Sequence, residues 1–151
     1  MRFPYIAGEM ANGIATTRMC IAMAEAGMVG FFGAGGLGYP RVEEAVDELL
    51  ARLGDRLPWG VNLIHSPTEP GLENRVADLL IRKGVRIISA SAFMDLTPAL
   101  VRCAAAGLHL DAHGRITRKR HVFAKVSRRE VAMRFMAPAP ADILRSLVEQ
   151  R

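Results

Sequence analysis

Short apolar runs alternate with longer amphipathic stretches along the whole chain. The runs at 2–10, 28–34, 59–65, 85–92 and 121–127 read as strands, the first with its exit included. Between them the spacing predicts helices over 14–27, 40–53, 69–83 and 97–106, with Gly27, Gly54, Gly84 and Gly107 as their stops. Thr16 or Thr17 caps the first helix. Pro40 stands at or near the first position of the second, with Glu43 and Glu44 in its early turns, and Thr97 caps the fourth ahead of Pro98. Ser127 and Glu130 form an S-x-x-E capping box for a helix to about Met136. Pro138-Ala139-Pro140 separates it from a last helix over 141–150. The strands are continuous apolar runs, the pattern of parallel strands covered on both faces. Five βα units in succession make an α/β fold. Two architectures fit. One is a complete five-stranded, doubly wound sheet of flavodoxin type. The other is the N-terminal portion of a TIM (β/α)8 barrel, whose full form takes roughly 250 residues. In both, chemistry belongs at the carboxyl ends of the strands.

The 151 residues suit one domain, and half of them are hydrophobic, enough for a packed core. The net charge of +5 is unevenly spread: Arg115, Arg118, Lys119, Arg120, Lys125, Arg128 and Arg129 crowd one stretch. That run is either a solvated loop or a surface for an acidic partner. Phe123 is its only aromatic, so nothing supports stacking on nucleic acid. Cys20 and Cys103 stand alone in Ala-rich helical stretches, as buried, reduced thiols of a cytoplasmic protein would. No secretory leader, membrane-length apolar run or metal-ligand set is visible.

The strand ends hold the candidate chemistry. Gly8-Glu9-Met10-Ala11-Asn12-Gly13 is either a tight βα turn or a backbone surface for a flat ligand. Gly33-Ala34-Gly35-Gly36-Leu37-Gly38 matches G-x-G-x-x-G, yet it follows the second strand. The next strand ends in His65 and Ser66 where a dinucleotide fold wants an acid. Close approach of a ligand or a neighbouring loop is the better account. Asn62 inside an apolar strand needs partners, either nearby backbone or a heterocycle with adjacent donor and acceptor. His65 is a candidate proton donor or a structural histidine. Ser89 and Ser91 suit a site wall or tight helix packing, and Asp95 a helix entry. Lys125, between Ala124 and Val126, either pairs with an anion or snorkels to solvent.

Four segments together carry a resemblance: GFFGAGGL (30–37), GVNLIHSP (60–67) with Glu69-Pro70, SASAFMDLTPALVR (89–102) and AKVSRREVAMRFMAPAP (124–140). They resemble the flavin-dependent enoyl reductase component of polyunsaturated fatty acid synthases and trans-acyltransferase polyketide synthases, within the nitronate monooxygenase-like superfamily. The resemblance covers nearly the whole chain and implies a TIM barrel. It implies FMN as cofactor, NAD(P)H as reductant and an enoyl thioester on an acyl carrier protein as substrate. By residue, it implies that the Met10-Ala11-Asn12 turn supports the flavin ring and that Asn62 and Lys125 contact it. Ser91 lies in one of the resembling segments and joins them as a cofactor-binding candidate; His65 is the candidate catalytic donor. An acidic carrier protein would suit the basic run. Relatives extend before the first strand and beyond the fifth unit, where a Gly-Gly-His segment and phosphate-holding loops lie. The chain is therefore expected to be one partial barrel domain over 1–151, binding FMN weakly and turning over little alone. The alternatives are a nitronate monooxygenase-like oxidase and a non-catalytic half-barrel that persists as an oligomer or partner.

Overall fold

The computed structural model describes residues 1–149, so Gln150, expected to end the last helix, lies outside the described residues. Five parallel strands form one sheet: β1 (Ile6–Ala7), β2 (Val29–Phe32), β3 (Trp59–Ile64), β4 (Ile87–Ser91) and, after a small hairpin of β5 (His109–Leu110) and β6 (Ile116–Thr117), β7 (His121–Ala124). The helices are α1 (Thr17–Glu25), α2 (Tyr39–Leu53), α3 (Pro70–Arg82), α4 (Pro98–Ala105), α5 (Arg129–Met136) and α6 (Ala141–Glu149). None is long and apolar enough to cross a membrane.

The strand order is β1-β2-β3-β4-β7, sequential throughout. A flavodoxin-type sheet reverses direction after its first strand and has a switch point there. This sheet has none, so the doubly wound alternative is wrong. Successive right-handed crossovers in one direction place the helices on one side. Between them and the sheet lies the core, where Val61, Leu63, Ile88 and Ala90 of the strands meet Leu49, Leu79, Leu80 and Leu100 of the helices. The opposite side carries the alternate residues: a Cβ on Gly60 would sit 2.4 Å from the Phe31 ring, and Phe31 meets Phe123 edge-on at 5.7 Å.

The predicted α/β alternation holds, with shorter ends. Ladder pairing in the first strand is limited to Ile6 and Ala7, and Pro4 just before them has no N–H to donate. The last strand was expected to be covered on both faces, but β7 is an edge and leaves Phe123 40% exposed. Thr16 and Thr97 cap α1 and α4 through their hydroxyls, at 3.1 and 3.3 Å. The Ser127–Glu130 capping box does not form. The N-cap of α5 is Arg128, one residue later, which puts Ser127 outside the helix and out of reach of its first amides.

The basic run is not one surface. Arg115, Arg118 and Lys119 lie on or after the hairpin, at the amino end of β7, whereas Lys125, Arg128 and Arg129 follow its carboxyl end. Arg120 is buried and donates to the carbonyls of Ile81 and Ala106, both at 2.7 Å, at the ends of α3 and α4. Positive charge there complements both helix dipoles. Arg120 therefore belongs to the scaffold, not to an exposed docking surface.

Candidate functional site

Two buried carboxylates organise the carboxyl end of the sheet. The first is Glu9, two residues beyond β1, whose side chain is 4% exposed. Its Oε1 accepts from Ser89 Oγ at 3.0 Å, Ser91 Oγ at 2.5 Å, Lys125 Nζ at 3.0 Å and Asn62 Nδ2 at 3.4 Å. Burial pushes its carboxyl upward. The donors from Ser91, Lys125 and Ser89, with its own backbone amide, outweigh that and hold it below the usual range. Ser89 and Ser91 belong to β4, three strands from β1. On a flat sheet that separation is about 14 Å, beyond the reach of one glutamate and one serine. The bonds require a curled sheet with the β1 exit folded over its concave face.

Asn62 is 2% exposed and also donates to the Ser89 carbonyl at 3.2 Å and to Ser91 Oγ at 2.8 Å. Asn62, Ser91 and Lys125, the cofactor-binding candidates of these strands, are thus brought together, with Glu9 as the hub. Glu9 was legible only as part of a turn, because nothing local marks it for partners 53 to 116 residues away.

The Met10-Ala11-Asn12 turn is held against the Gly-rich segment after β2. Asn12 N–H donates to Gly35 at 2.7 Å and Gly13 N–H to Gly33 at 3.0 Å. A Cβ on Gly33 would lie 1.7 Å from the Met10 carbonyl oxygen, and one on Gly36 would lie 2.2 Å from Asn12 Oδ1. The G-x-G-x-x-G segment thus admits a neighbouring loop, and the dinucleotide reading fails on that contact. Asn12 itself takes a φ of +56°, a left-handed conformation that asparagine tolerates better than most residues. The Gly35 position faces both Ala11 Cβ, at 3.7 Å, and Asn62 Oδ1, at 3.2 Å. The turn and the Asn62 cluster are therefore neighbours.

The second carboxylate is Glu73 of α3, 5% exposed at its side chain. Its Oε2 lies 2.8 Å from His65 Nδ1 and accepts from Ser66 N–H at 3.1 Å; its Oε1 accepts from Thr97 Oγ1 at 2.8 Å. The His65 ring stands 5.2 Å from that of Phe93, tilted 31°. His65 is thus tied to a different carboxylate from the Asn62–Ser91–Lys125 group. Its backbone N–H reaches the Ser91 carbonyl at 3.0 Å, so the two clusters adjoin. Glu73 was missed, although a signal existed: it shares the spacing of the buried Val76, Ala77 and Leu80, and a carboxylate on that stripe needs partners. A cleft of about 770 Å³ is lined by Asn62 of one cluster and by Ser66 and Glu73 of the other, with Gly36, Tyr39 and Arg75. His65 and Lys125 are not part of that lining. Asp95 does not cap α4; its Oδ2 pairs with Arg134 at 2.6 Å.

No protein-family model matches the chain. Polyketide biosynthesis protein PksE of Bacillus subtilis is 40% identical over 98% of this chain and 19% of its own length. Polyketide biosynthesis protein ThaF of Burkholderia thailandensis is 42% identical over 98% of the chain and 12% of its own length. A polyunsaturated fatty acid synthase polypeptide of a Thraustochytrium species is 46% identical over 96% of the chain and 10% of its own length. The chain spans less than a fifth of the length of these curated relatives. Among solved structures, the enoyl reductase domain of MlnA, from the macrolactin cluster of Bacillus amyloliquefaciens, matches with a TM-score of 0.93 at 35% identity, over 97% of this chain and 33% of that one. Sequence and fold agree: the chain is similar to one segment of these polyketide and polyunsaturated fatty acid synthase proteins and to part of a solved enoyl reductase domain, in line with the resemblance of its motifs.

Proposed function

We propose that the chain is the N-terminal portion, about five βα units within one domain over 1–151, of an FMN-dependent (β/α)8-barrel enoyl reductase. It would serve polyketide or polyunsaturated fatty acid synthesis, reducing enoyl thioesters on an acyl carrier protein with NAD(P)H. The observation that carries this reading is the convergence of Asn62, Ser91 and Lys125 on the concave carboxyl end of the sheet. It occurs in a chain whose fold matches an enoyl reductase domain.

The residues present fit a flavin ring. The Gly33 and Gly36 contacts hold the Met10–Ala11–Asn12 turn in place, and Gly35 sets it beside Asn62. Lys125 spends one contact on Glu9, and its side chain is 56% exposed, leaving ammonium hydrogens for an electron-rich acceptor edge. In this assignment the turn supports the ring, Asn62 and Ser91 orient its polar edge, and Lys125 stabilises negative charge there. FMN, when bound, supplies the capacity to accept and pass on a hydride. Overall, NAD(P)H loses a hydride and becomes NAD(P)⁺, the β-carbon of the enoyl thioester gains that hydride, and the α-carbon takes a proton. His65, beside the site and oriented by Glu73, holds that proton at Nε2.

The test is reconstitution. The purified chain is mixed with FMN, desalted and examined by visible spectroscopy, and then assayed for NAD(P)H oxidation with an enoyl thioester. Retained flavin that weakens at least tenfold in Lys125→Ala and Asn62→Ala, with thioester-dependent oxidation, supports the reading. Flavin retention indifferent to both substitutions overturns the site, and oxygen uptake on a nitronate without thioester reduction overturns the reaction.

A further inference from the structure

Glu73 is the other buried carboxylate at this end of the sheet, and its three contacts join three elements. Ser66 and His65 lie at the exit of β3, Glu73 on α3, and Thr97 at the start of α4. Thr97 is held in turn by its capping bond from Leu100 N–H at 3.3 Å. The other two contacts of Glu73 are a backbone N–H and a hydroxyl, and a carboxylate oxygen only accepts. The hydrogen between it and the imidazole therefore sits on His65 Nδ1, and the neutral ring has its lone pair on Nε2. The adjacent Phe93 ring limits rotation of the imidazole. The His65 side chain is 29% exposed, and its Nε2 is not among the buried nitrogens left without a partner in the described residues.

We propose that Glu73 is a positioning residue that fixes His65 with Nδ1–H turned to the protein and Nε2 presented to the reacting side. The proposal rests on the reading of His65 as proton donor. In the step it serves, the imidazolium gives its Nε2 proton to the substrate α-carbon. The neutral ring keeps Nδ1–H on Glu73 and regains a proton at Nε2 from solvent. The charged groups of the surrounding elements leave Glu73 as the anion that sets the ring: Asp95 is taken by Arg134, and Glu69 is exposed at the start of α3. Such carboxylate–histidine pairs fix tautomer and orientation together.

The tautomer can be read directly, without flavin or substrate, by long-range ¹⁵N–¹H NMR of the imidazoles, with His65 assigned from His65→Asn. The expected result is predominantly Nδ1–H for neutral His65 in the unaltered chain. Glu73→Gln should keep it, because the amide oxygen can still accept from the ring while its NH₂ meets Thr97. Glu73→Met fills the same core space without an acceptor and should return His65 to predominantly Nε2–H. An Nε2–H signal in the unaltered chain overturns the proposal by itself, whether or not either variant folds; an unchanged Nδ1–H signal in folded Glu73→Met also overturns it. A correct tautomer in a chain whose His65→Asn variant reduces enoyl thioesters at full rate leaves the positioning intact and removes the proton-donor reading.

Discussion

Lys125, one residue past the last strand of the sheet, donates to the carboxylate of Glu9, two residues past the first, at 3.0 Å. The two outermost strands are thereby linked over the concave face, through a carboxylate that also holds β3 and β4. The partners are unequal: Glu9 is 4% exposed at its side chain and Lys125 56%.

That inequality predicts unequal losses. Glu9→Ala strands buried hydroxyl and amide donors and should lower unfolding stability by about 1–3 kcal/mol. Lys125→Ala removes a solvent-screened partner and should cost about 1 kcal/mol or less. The acid limb carries a sign. A carboxyl held below its ordinary value in the folded state contributes fully above that value and loses its contribution as pH falls through the folded one. Urea midpoints of the unaltered chain and Glu9→Gln should therefore differ by a constant amount near neutrality and converge in acid. A gap that widens on acidification contradicts this.

The contact between Gly33 and Met10 makes a second prediction. A methyl group at Gly33 meets a backbone carbonyl, which cannot move aside as a flexible side chain does. Gly33→Ala should destabilise by about 3 kcal/mol and weaken flavin retention. Gly71, in the first turn of α3, has nothing within 4 Å of the added carbon, and Gly71→Ala should gain about 0.5–1 kcal/mol. Equal effects at the two sites would show that the turn is not pinned.

Both thiols should be silent in the folded protein. Burial pushes Cys20 up to about 12, and it pushes Cys103 to about 12 against the opposing pull of Arg102 and Arg120. At pH 8 only about 1 in 10⁴ of each is thiolate, and access is closed as well. Titration with a disulfide reagent should give no fast phase until guanidinium is added, and then two thiols. A fast native phase would mean that one of these helices is not packed as described.

Arg120 and Arg118 separate scaffold from surface. Arg120→Ala removes both bonds to the helix-end carbonyls and should lower stability by about 1–3 kcal/mol. Arg118→Ala is exposed and should stay within about 0.5 kcal/mol. Thermal unfolding decides this, and any loss of carrier-protein binding on charge reversal is interpretable at Arg118 but not at Arg120.

The order of strands and helices, the Thr16 and Thr97 caps, and the suspicion around Asn62 were legible in the sequence, because each rests on local spacing or on one polar residue in an apolar run. The small hairpin was not, because its strands of two residues show no period; Asp111 accepting from His113 and Arg115 makes that turn instead. Nor was the burial of Arg120, since its partners are the ends of two helices packed side by side. Sequential strand order was equally open, because apolar runs specify that strands are covered and not which neighbour each takes. The clearest division lies at the site. The sequence supplied the donors Asn62, Ser91, Lys125 and His65, but only the curl of the sheet brought Glu9 across to β4, and only the packing of α3 placed Glu73 beneath His65. A side chain's need for a partner is written locally, whereas the partner's identity depends on which distant strand ends the folded sheet brings within a few ångströms.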